Sequence, residues 1–261
     1  VKDMSDTALK IEGLTKKFGG LVAVNNLDME IKKERITALI GPNGSGKTTT
    51  INLISGALCA DDGCATYKGN NILEYKEYAI ARQGIKRTFQ NIKLFPSLSV
   101  IENVMLGGQT DDANVVGSLL GLKKDKQKER LLRERAQAAI EYISMTDIIN
   151  RNVGDLPYGK QKKLEFARAM VSDPDILLLD EPATGLNPTE RTELVELLEK
   201  IKQDKYTILI IEHNMDVVMN VSDKIYVLNF GTKIAEGKPH EIQTNKTVIE
   251  AYLGEKYQRR M

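Results

Sequence analysis

The first chemistry legible in this chain lies in Gly41-Pro42-Asn43-Gly44-Ser45-Gly46-Lys47-Thr48-Thr49. The stretch fits G-x-x-x-x-G-K-[ST], with the apolar run Ile36 to Ile40 before it and a helix-compatible Thr50 to Ile54 behind it. Strand, glycine turn and helix are the context a phosphate-cradling loop requires. Its glycines let the backbone curl until successive N–H groups point at a polyphosphate, and the helix that follows adds its positive end. Lys47 then reaches the β- and γ-phosphates, and the Thr48 hydroxyl is placed to bind Mg²⁺. Together these residues spell a nucleoside triphosphate site.

A second group of candidates closes two later apolar runs. Ile176-Leu177-Leu178-Leu179 ends in Asp180-Glu181, and Thr207 to Ile211 ends in Glu212-His213. Strands covered on both faces read as continuous apolar runs, and ligands bind where such strands end. Asp180 suits water-mediated Mg²⁺ coordination, while Glu181 is one residue nearer the γ-phosphate and suited to orient or deprotonate an attacking water. His213 emerges at the same edge, where a neutral imidazole can bond the γ-phosphate or that water. His240, in a polar Pro-His-Glu turn, carries no role, and Gln90 in Arg87-Thr88-Phe89-Gln90-Asn91 is by itself a modest signal. The loop Leu156-Pro157-Tyr158-Gly159-Lys160-Gln161 is another glycine-bearing turn feeding a helix. It is a second anion-binding helix start in a chain with one triphosphate loop, which makes sense if it closes over a partner's nucleotide.

The elements that position these residues change character along the chain. Near the N-terminus Leu9 and Ile11 alternate with Lys10 and Glu12, and Leu27, Met29 and Ile31 alternate with Asp28 and Glu30. Such alternation belongs to an antiparallel sheet with one wet face. Phe18-Gly19-Gly20 marks the turn between these strands, its aromatic either a core plug or a flat surface for a base. The continuous apolar runs separated by helices predict an α/β core. In one of those helices Asn187-Pro188-Thr189-Glu190 supplies cap, first-turn proline and capping-box glutamate, and Leu194, Leu197, Leu198 and Ile201 form its apolar face. Gly107 to Asp112 and Gly117 to Gly121 read as loops. Lys123 to Tyr142 reads as an amphipathic helix with a stripe of Leu131, Leu132, Ala136, Ala139, Ile140 and Ile143. A strand at Lys224 to Leu228, a turn at Phe230-Gly231, a strand at Lys233 to Ala235 and a helical tail complete the pattern.

Composition narrows the class. The 261 residues are 41% hydrophobic and 28% charged, enough for a well-buried core. With 37 basic against 36 acidic residues there is no global pull toward nucleic acid or anionic lipid. Cys59 and Cys64 read as reduced thiols. No secretory signal and no membrane-spanning stretch is legible, so a cytoplasmic protein docked on something else is the expectation.

In order and approximate spacing, the loop 41–49, Gln90, the loop 156–161, Asp180-Glu181, the turn Gly185-Leu186-Asn187-Pro188 and His213 resemble the ATP-binding subunit of ABC transporters, over nearly the whole chain. Leu-Pro-Tyr-Gly-Lys-Gln, Glu-Pro-Ala-Thr-Gly-Leu-Asn-Pro, Ile-Glu-His-Asn-Met and Tyr-Val-Leu-Asn-Phe-Gly-Thr-Lys-Ile-Ala-Glu-Gly, with the tail Ala251 to Glu255, resemble one branch, the ATPase of branched-chain amino-acid importers. That resemblance implies a P-loop NTPase core with a mostly parallel sheet, an N-terminal antiparallel β subdomain and an inserted α-helical subdomain. The chain would be one ATPase domain, with 1–86 and 171–261 as the ATP-binding core and 87–170 as the helical part. It implies ATP and Mg²⁺ as cofactors, the metal held by Thr48, Gln90 and Asp180. Phe18 would stack on adenine with Val24 beside it, Glu181 would be the general base, His213 the γ-phosphate sensor, and Gln90 a contact to Mg²⁺ or the attacking water. Pro157, Tyr158, Gly159 and Lys160 would touch the ATP of an opposite subunit, identical or paralogous. Integral membrane permease subunits on the cytoplasmic face would be the other partners, with no nucleic acid. The sequence departs from the wider family at Pro157-Tyr158, where Ser-Gly is commonest, and at Asn187, where Asp is common. A P-loop kinase, an ABC protein acting on DNA or ribosomes, and an ABC transporter for urea or lipid are the rival readings.

Overall fold

The computed structural model describes residues 6–88, 92–108 and 126–258. Gln90, the loop from 109 to 121 and the expected helix start at 123 lie outside the described residues. Among the described residues the strands form two sheets. The first comprises β1 (Thr7–Phe18), β2 (Leu21–Lys32), β4 (Asp62–Tyr67) and β5 (Asn70–Asn71), all antiparallel, in the order β2-β1-β4-β5. The second takes β3 (Ile36–Ile40), β6 (Ile85–Arg87), β7 (Ile176–Asp180), β8 (Thr207–Ile211), β9 (Lys224–Asn229) and β10 (Thr232–Gly237) in the order β10-β9-β3-β8-β7-β6. Its pairs are parallel except for β10 against β9.

The apolar runs explain why the second sheet lies in the middle. Every residue of β3, β7 and β8 is buried, and side chains alternate between two cores. Ile36, Ala38, Ile40, Leu177, Leu179, Ile208 and Ile210 face one core, which the helices cover. Leu39, Ile176, Leu178, Leu209 and Ile211 face the other, which they share with Leu9, Ile11, Leu14, Leu27, Met29 and Ile31 of the antiparallel sheet. The alternation in β1 breaks between Ile11 and Leu14, where the register shifts at Gly13. That glycine takes φ +63, and the bulge returns Leu14 to the buried face.

Among the described residues the α-helices are α1 (Lys47–Ile54), α2 (Glu77–Arg82), α3 (Val100–Gly107), α4 (Lys126–Tyr142), α5 (Tyr158–Met170), α6 (Pro188–Gln203), α7 (Met215–Val221), α8 (Pro239–Gln243) and α9 (Lys246–Gln258). His240 therefore lies in a short helix rather than a turn. Gly107, expected in a loop, is the last residue of α3, and a β-carbon there would collide with the carbonyl oxygen of Arg168 on α5. The apolar stripe of α4 is narrower than its sequence suggests: Ala136 and Ile140 are buried, but Leu131 is 51% exposed. Tyr142 at the end of α4 donates its hydroxyl to Asp204 Oδ2 at 2.6 Å, and Lys200 of α6 donates to the Tyr142 carbonyl at 2.9 Å. Burial and the adjacent Asp204 push the Tyr142 phenol up, so it remains a donor in that bond. Among the described residues no helix is long and apolar enough to cross a membrane.

The start of α6 forms as its sequence dictates. Asn187 Oδ1 accepts the Glu190 N–H at 3.0 Å, and Glu190 Oε2 accepts the Asn187 N–H at 3.0 Å, with Pro188 opening the helix. Leu194, Leu198 and Ile201 then bury its inner face. Asn187→Ala is expected to lower stability by about 1 kcal/mol in urea unfolding, whereas Asn187→Asp, which keeps an accepting oxygen, should leave the midpoint unchanged.

Candidate nucleotide site

Three adjacent parallel strands, β3, β8 and β7, end on one edge of the second sheet and deliver the candidate residues there. From β3 the chain turns through Gly41 to Gly46 into α1. Gly46 takes φ +103 at the helix start, and a β-carbon on it would collide with the Ala23 carbonyl. Only glycine satisfies both the dihedral and the close approach. The first turn of a helix leaves its leading N–H groups outside the i−4 ladder, which makes the start of α1, directly after the loop, an anion-binding position. Lys47 is buried, its ammonium donating to the carbonyls of Gly41 at 2.8 Å and Pro42 at 2.9 Å. Thr50 is turned inward, its hydroxyl on the Gly46 carbonyl at 2.9 Å, while Thr48 and Asn43 are exposed.

The phosphate loop opens into a groove of about 320 Å³ whose floor runs from Gly44 to Thr49. Its apolar wall comes from Phe18, Leu21, Val22 and Phe230. Phe18 is 47% exposed at the tip of the β1–β2 hairpin, so it is not a core plug. Val24, expected beside it, is wholly buried in the core shared with Leu27 and Leu39 and does not line the groove. Plain alternation would keep Val22 and Val24 on one face, but the register shifts between the pairs Lys16–Val24 and Lys17–Val22, and that irregularity parts their surroundings. Phe230 is 78% exposed at φ +46, a left-handed backbone that costs an aromatic residue about 1 kcal/mol. Its turn is tied to the loop, with Gly231 N–H on the Ser45 carbonyl at 3.0 Å and Asn25 N–H on the Gly231 carbonyl at 2.8 Å. Strain at an exposed aromatic is the signal that marks Phe230, and it is invisible in the sequence, where Phe230-Gly231 reads as a plain turn.

At the end of β7, Asp180 is 2% exposed. Its Oδ2 accepts from Arg87 Nη2 at 2.7 Å, while Arg87 Nη1 donates to Asn52 Oδ1 at 2.7 Å and Ser55 Oγ at 3.0 Å. One guanidinium thus joins the end of β6, helix α1 and the end of β7. Asp180 Oδ1 and Ser45 Oγ are buried and have no hydrogen-bond partner among the described residues. Native structures leave few such atoms, and each calls for a ligand or water. An orphaned acidic oxygen at the end of β7 and an orphaned hydroxyl in the phosphate loop, both at the same sheet edge, are groups a hydrated divalent cation with phosphates would answer, so the residues present suit Mg²⁺.

Glu181 follows at φ +48, its N–H on the Ile211 carbonyl of β8 at 2.8 Å. That bond carries the β7–β8 ladder past its last pair and sets Glu181 beside the end of β8. Its Oε2 accepts from Thr184 Oγ1 at 3.2 Å and lies 3.7 Å from His213 Nδ1. The His213 side chain is 54% exposed. The structure thus brings the phosphate loop, Asp180, Glu181 and His213 to one edge. The sequence reading passed over Arg87, Glu212 and Phe230, because a lone arginine, acid or aromatic at a strand end has no distinguishing spacing.

The loop at 156–161 lines a separate groove. Pro157, Gly159 and Lys160 face Glu190, Glu193 and Leu194 there, and no residue of the phosphate loop lines it. Pro157, Tyr158 and Lys160 are exposed. Gly159 is buried, and a β-carbon on it would collide with the Glu190 carboxylate. The Tyr158 ring lies against Gly185, and its hydroxyl donates to the Thr184 carbonyl at 3.4 Å. Burial, with Glu165 nearby, pushes that phenol above its ordinary range. Tyr158 therefore fastens this loop to the segment that follows Glu181.

A phosphate-cradling loop and an acidic strand end on a parallel sheet define a P-loop nucleotide-binding protein. A family model described as ABC transporter matches residues 24–184, and a second, branched-chain amino acid ATP-binding cassette transporter, matches 232–257. The chain belongs to the ABC transporter family and is one of its ATP-hydrolysing cassettes. It is 43% identical over 254 residues to the high-affinity branched-chain amino acid transport ATP-binding protein LivG of Salmonella typhimurium, covering 97% of this chain and all of that one. It is 40% identical over 254 residues to BraF of Pseudomonas aeruginosa, a protein of the same description, with the same coverage. Among solved structures it is similar to the ADP conformation of MJ1267, an ATP-binding cassette of an ABC transporter, with a TM-score of 0.83 at 31% identity over 95% of this chain and 99% of that one.

The Arg87–Asp180 pair carries a direct expectation. Both side chains are largely buried, at 10% and 2% exposure. Arg87→Met should lower stability by about 3 kcal/mol by leaving a buried acid without its cation, and Asp180→Asn in the same chain should recover part of that loss. Urea unfolding of the two single variants and the double variant measures both.

Proposed function

We propose that this chain is the ATP-hydrolysing subunit of an importer for branched-chain amino acids, acting as a pair of cassettes that close over two ATP molecules. The observation that carries the reading is the separation of two grooves: one holds the phosphate loop beneath Phe18 and Phe230, the other a second glycine-bearing helix start. A single nucleotide needs only the first. The second groove gains a purpose when a neighbouring cassette, a copy or a paralogue, places its own ATP against it. Tyr158, Lys160 and the leading N–H groups of α5 would meet the γ-phosphate there, with Pro157 at the rim and Gly159 permitting close packing on Glu190. The match of the tail 232–257 to a branched-chain cassette model, and the names of LivG and BraF, support this transport class over the urea and lipid alternatives.

In this reading residues 1–86 and 171–261 form the ATP-binding core, and 87–170 form the helical part that faces partners. Membrane permease subunits, reached from the cytoplasmic side, would convert closure into substrate passage. Phe18 and Phe230 hold the base, and Asn43 to Thr49 wrap the phosphates. Lys47 leaves its two carbonyls to meet the β- and γ-phosphates. Thr48 and Asp180, with Gln90, would hold Mg²⁺, which would supply charge neutralisation to the phosphates. Glu181 accepts the proton of the attacking water, and His213 bonds the γ-phosphate. ATP favours the closed pair because it touches both chains, and loss of the γ-phosphate removes that bridge.

Glu181→Gln is expected to cut hydrolysis at least about 100-fold and to yield an ATP-stabilised dimer by size-exclusion chromatography. A variant that stays monomeric in saturating Mg-ATP, with its partner cassette present, would sink the paired reading. Phe230→Ala and Phe18→Ala should each weaken ATP binding about tenfold, in line with the loss of one aromatic stack, with little change in the rate of cleavage once bound. Titration with a fluorescent ATP analogue separates the two effects.

A further inference from the structure

Glu212 is wholly buried between the two strand ends that carry Glu181 and His213. Its Oε1 accepts the Ala183 N–H at 2.7 Å, and its Oε2 accepts the N–H groups of His213 and Asn214, each at 2.9 Å. The carboxylate therefore satisfies three backbone donors from two different segments, one two residues beyond Glu181 and the other its own turn. His213 Nδ1 lies 4.0 Å from its Oε2 and 3.7 Å from Glu181 Oε2. Among the described residues the hydrogen bonds of Glu212 go to neither the phosphate loop nor the base wall.

We infer that Glu212 is a positioning residue for ATP cleavage: its carboxylate clamps the Glu181–Ala183 turn to the His213 turn and thereby sets the distance between the base and the γ-phosphate contact. Two features make a carboxylate necessary. The three donors need three acceptor lone pairs on two oxygens, and an amide offers such pairs on one oxygen only. Its nitrogen would present a donor to a buried N–H, which repels that segment. Glu181 also sits in a left-handed backbone that its surroundings must enforce, and the Glu212 bond to the Ala183 N–H holds the turn two residues further on. A turn released here moves Glu181 while the phosphate loop, held by Gly231 and its own bonds, stays in place.

The inference rests on the roles proposed for Glu181 and His213, and the test separates the two. In the full chain with its partner cassette and ATP as the probe, Glu212→Gln is expected to slow single-turnover cleavage about 10- to 100-fold, the scale of an ångström-level misplacement. ATP affinity measured without Mg²⁺ should stay within about twofold, since the loop and base wall are untouched. Added to Glu181→Gln, the substitution should slow cleavage far less than it does in the parent chain, because the base whose place it sets is already gone. Glu212→Asp retains the charge but is one methylene short of spanning to Ala183, and should show the same loss of cleavage at retained affinity even if the glutamine variant folds poorly. Wild-type cleavage by either variant, or a full additional loss in the Glu181→Gln background, would overturn the inference. A Glu181→Gln chain that cleaves normally would instead overturn the proposed function.

Discussion

Parallel pairing of β3, β8 and β7 is the constraint on which the rest of the molecule depends. Strands that run the same way end on the same side, so a turn, an acid and an imidazole far apart in the chain meet at one edge. The Glu181 N–H to Ile211 carbonyl bond shows how tightly the site depends on this pairing, because it is a rung of the sheet ladder and a site contact at once. Shifting β7 by one residue against β8 would move Leu179 and Asp180 to each other's faces and bury the wrong side chain. The register is held by Leu177, Leu179, Ile208 and Ile210 in one core and by Ile176, Leu178, Leu209 and Ile211 in the other, so sliding would cost burial on both sides.

Polar groups then occupy an interior that the strands have made dry. Asp180 and Glu212 lie side by side in this respect but are handled differently. Glu212 has its accepting capacity used by three backbone donors, which makes it a fixed part of the frame. Asp180 is met on one oxygen by Arg87 and left open on the other. A frame with one unanswered acceptor oxygen beside a phosphate loop is suited to take up a cation with its ligand, and the pair explains how the same strand ends supply both rigidity and reactivity. Arg87 also links Asp180 to Asn52 and Ser55 of the α1 region, so the acid's place is set from the helix that begins in the phosphate loop.

Much of this was legible in residue order because the determinants are local. Glycine spacing at 41–46, apolar runs of five residues, and the Asn187-Pro188-Thr189-Glu190 cap each act within a few residues, and the elements form where those signals lie. The antiparallel β part and the parallel core followed from alternation against continuity. What escaped depends on through-space geometry. Val24 differs from Val22 only in which way a bent strand turns it, and Leu131 from Leu132 only in a helix's rotation against its neighbours. Arg87, Glu212 and Phe230 acquire meaning from partners dozens of residues away, or from a left-handed backbone that no composition reveals.

The Tyr158 departure from the commoner small residue acquires a physical sense in this frame. A glycine at 158 would leave the start of α5 free to move against the segment 183–187, whereas the tyrosine ring packs on Gly185 and its hydroxyl reaches the Thr184 carbonyl. Gly185, at φ +81, is both the residue that can make the turn and the one that leaves room for the ring. The segment it belongs to begins at Glu181 and is held at Ala183 by Glu212. One short stretch thus touches the proposed base at one end and, at the other, the loop proposed to meet a neighbour's nucleotide. In a closed pair, displacement of that stretch on cleavage in one site would reach the rim of the other through a tyrosine, without a longer chain of contacts. The coupling would then scale with how rigidly Tyr158 is seated on Gly185 and the Thr184 carbonyl.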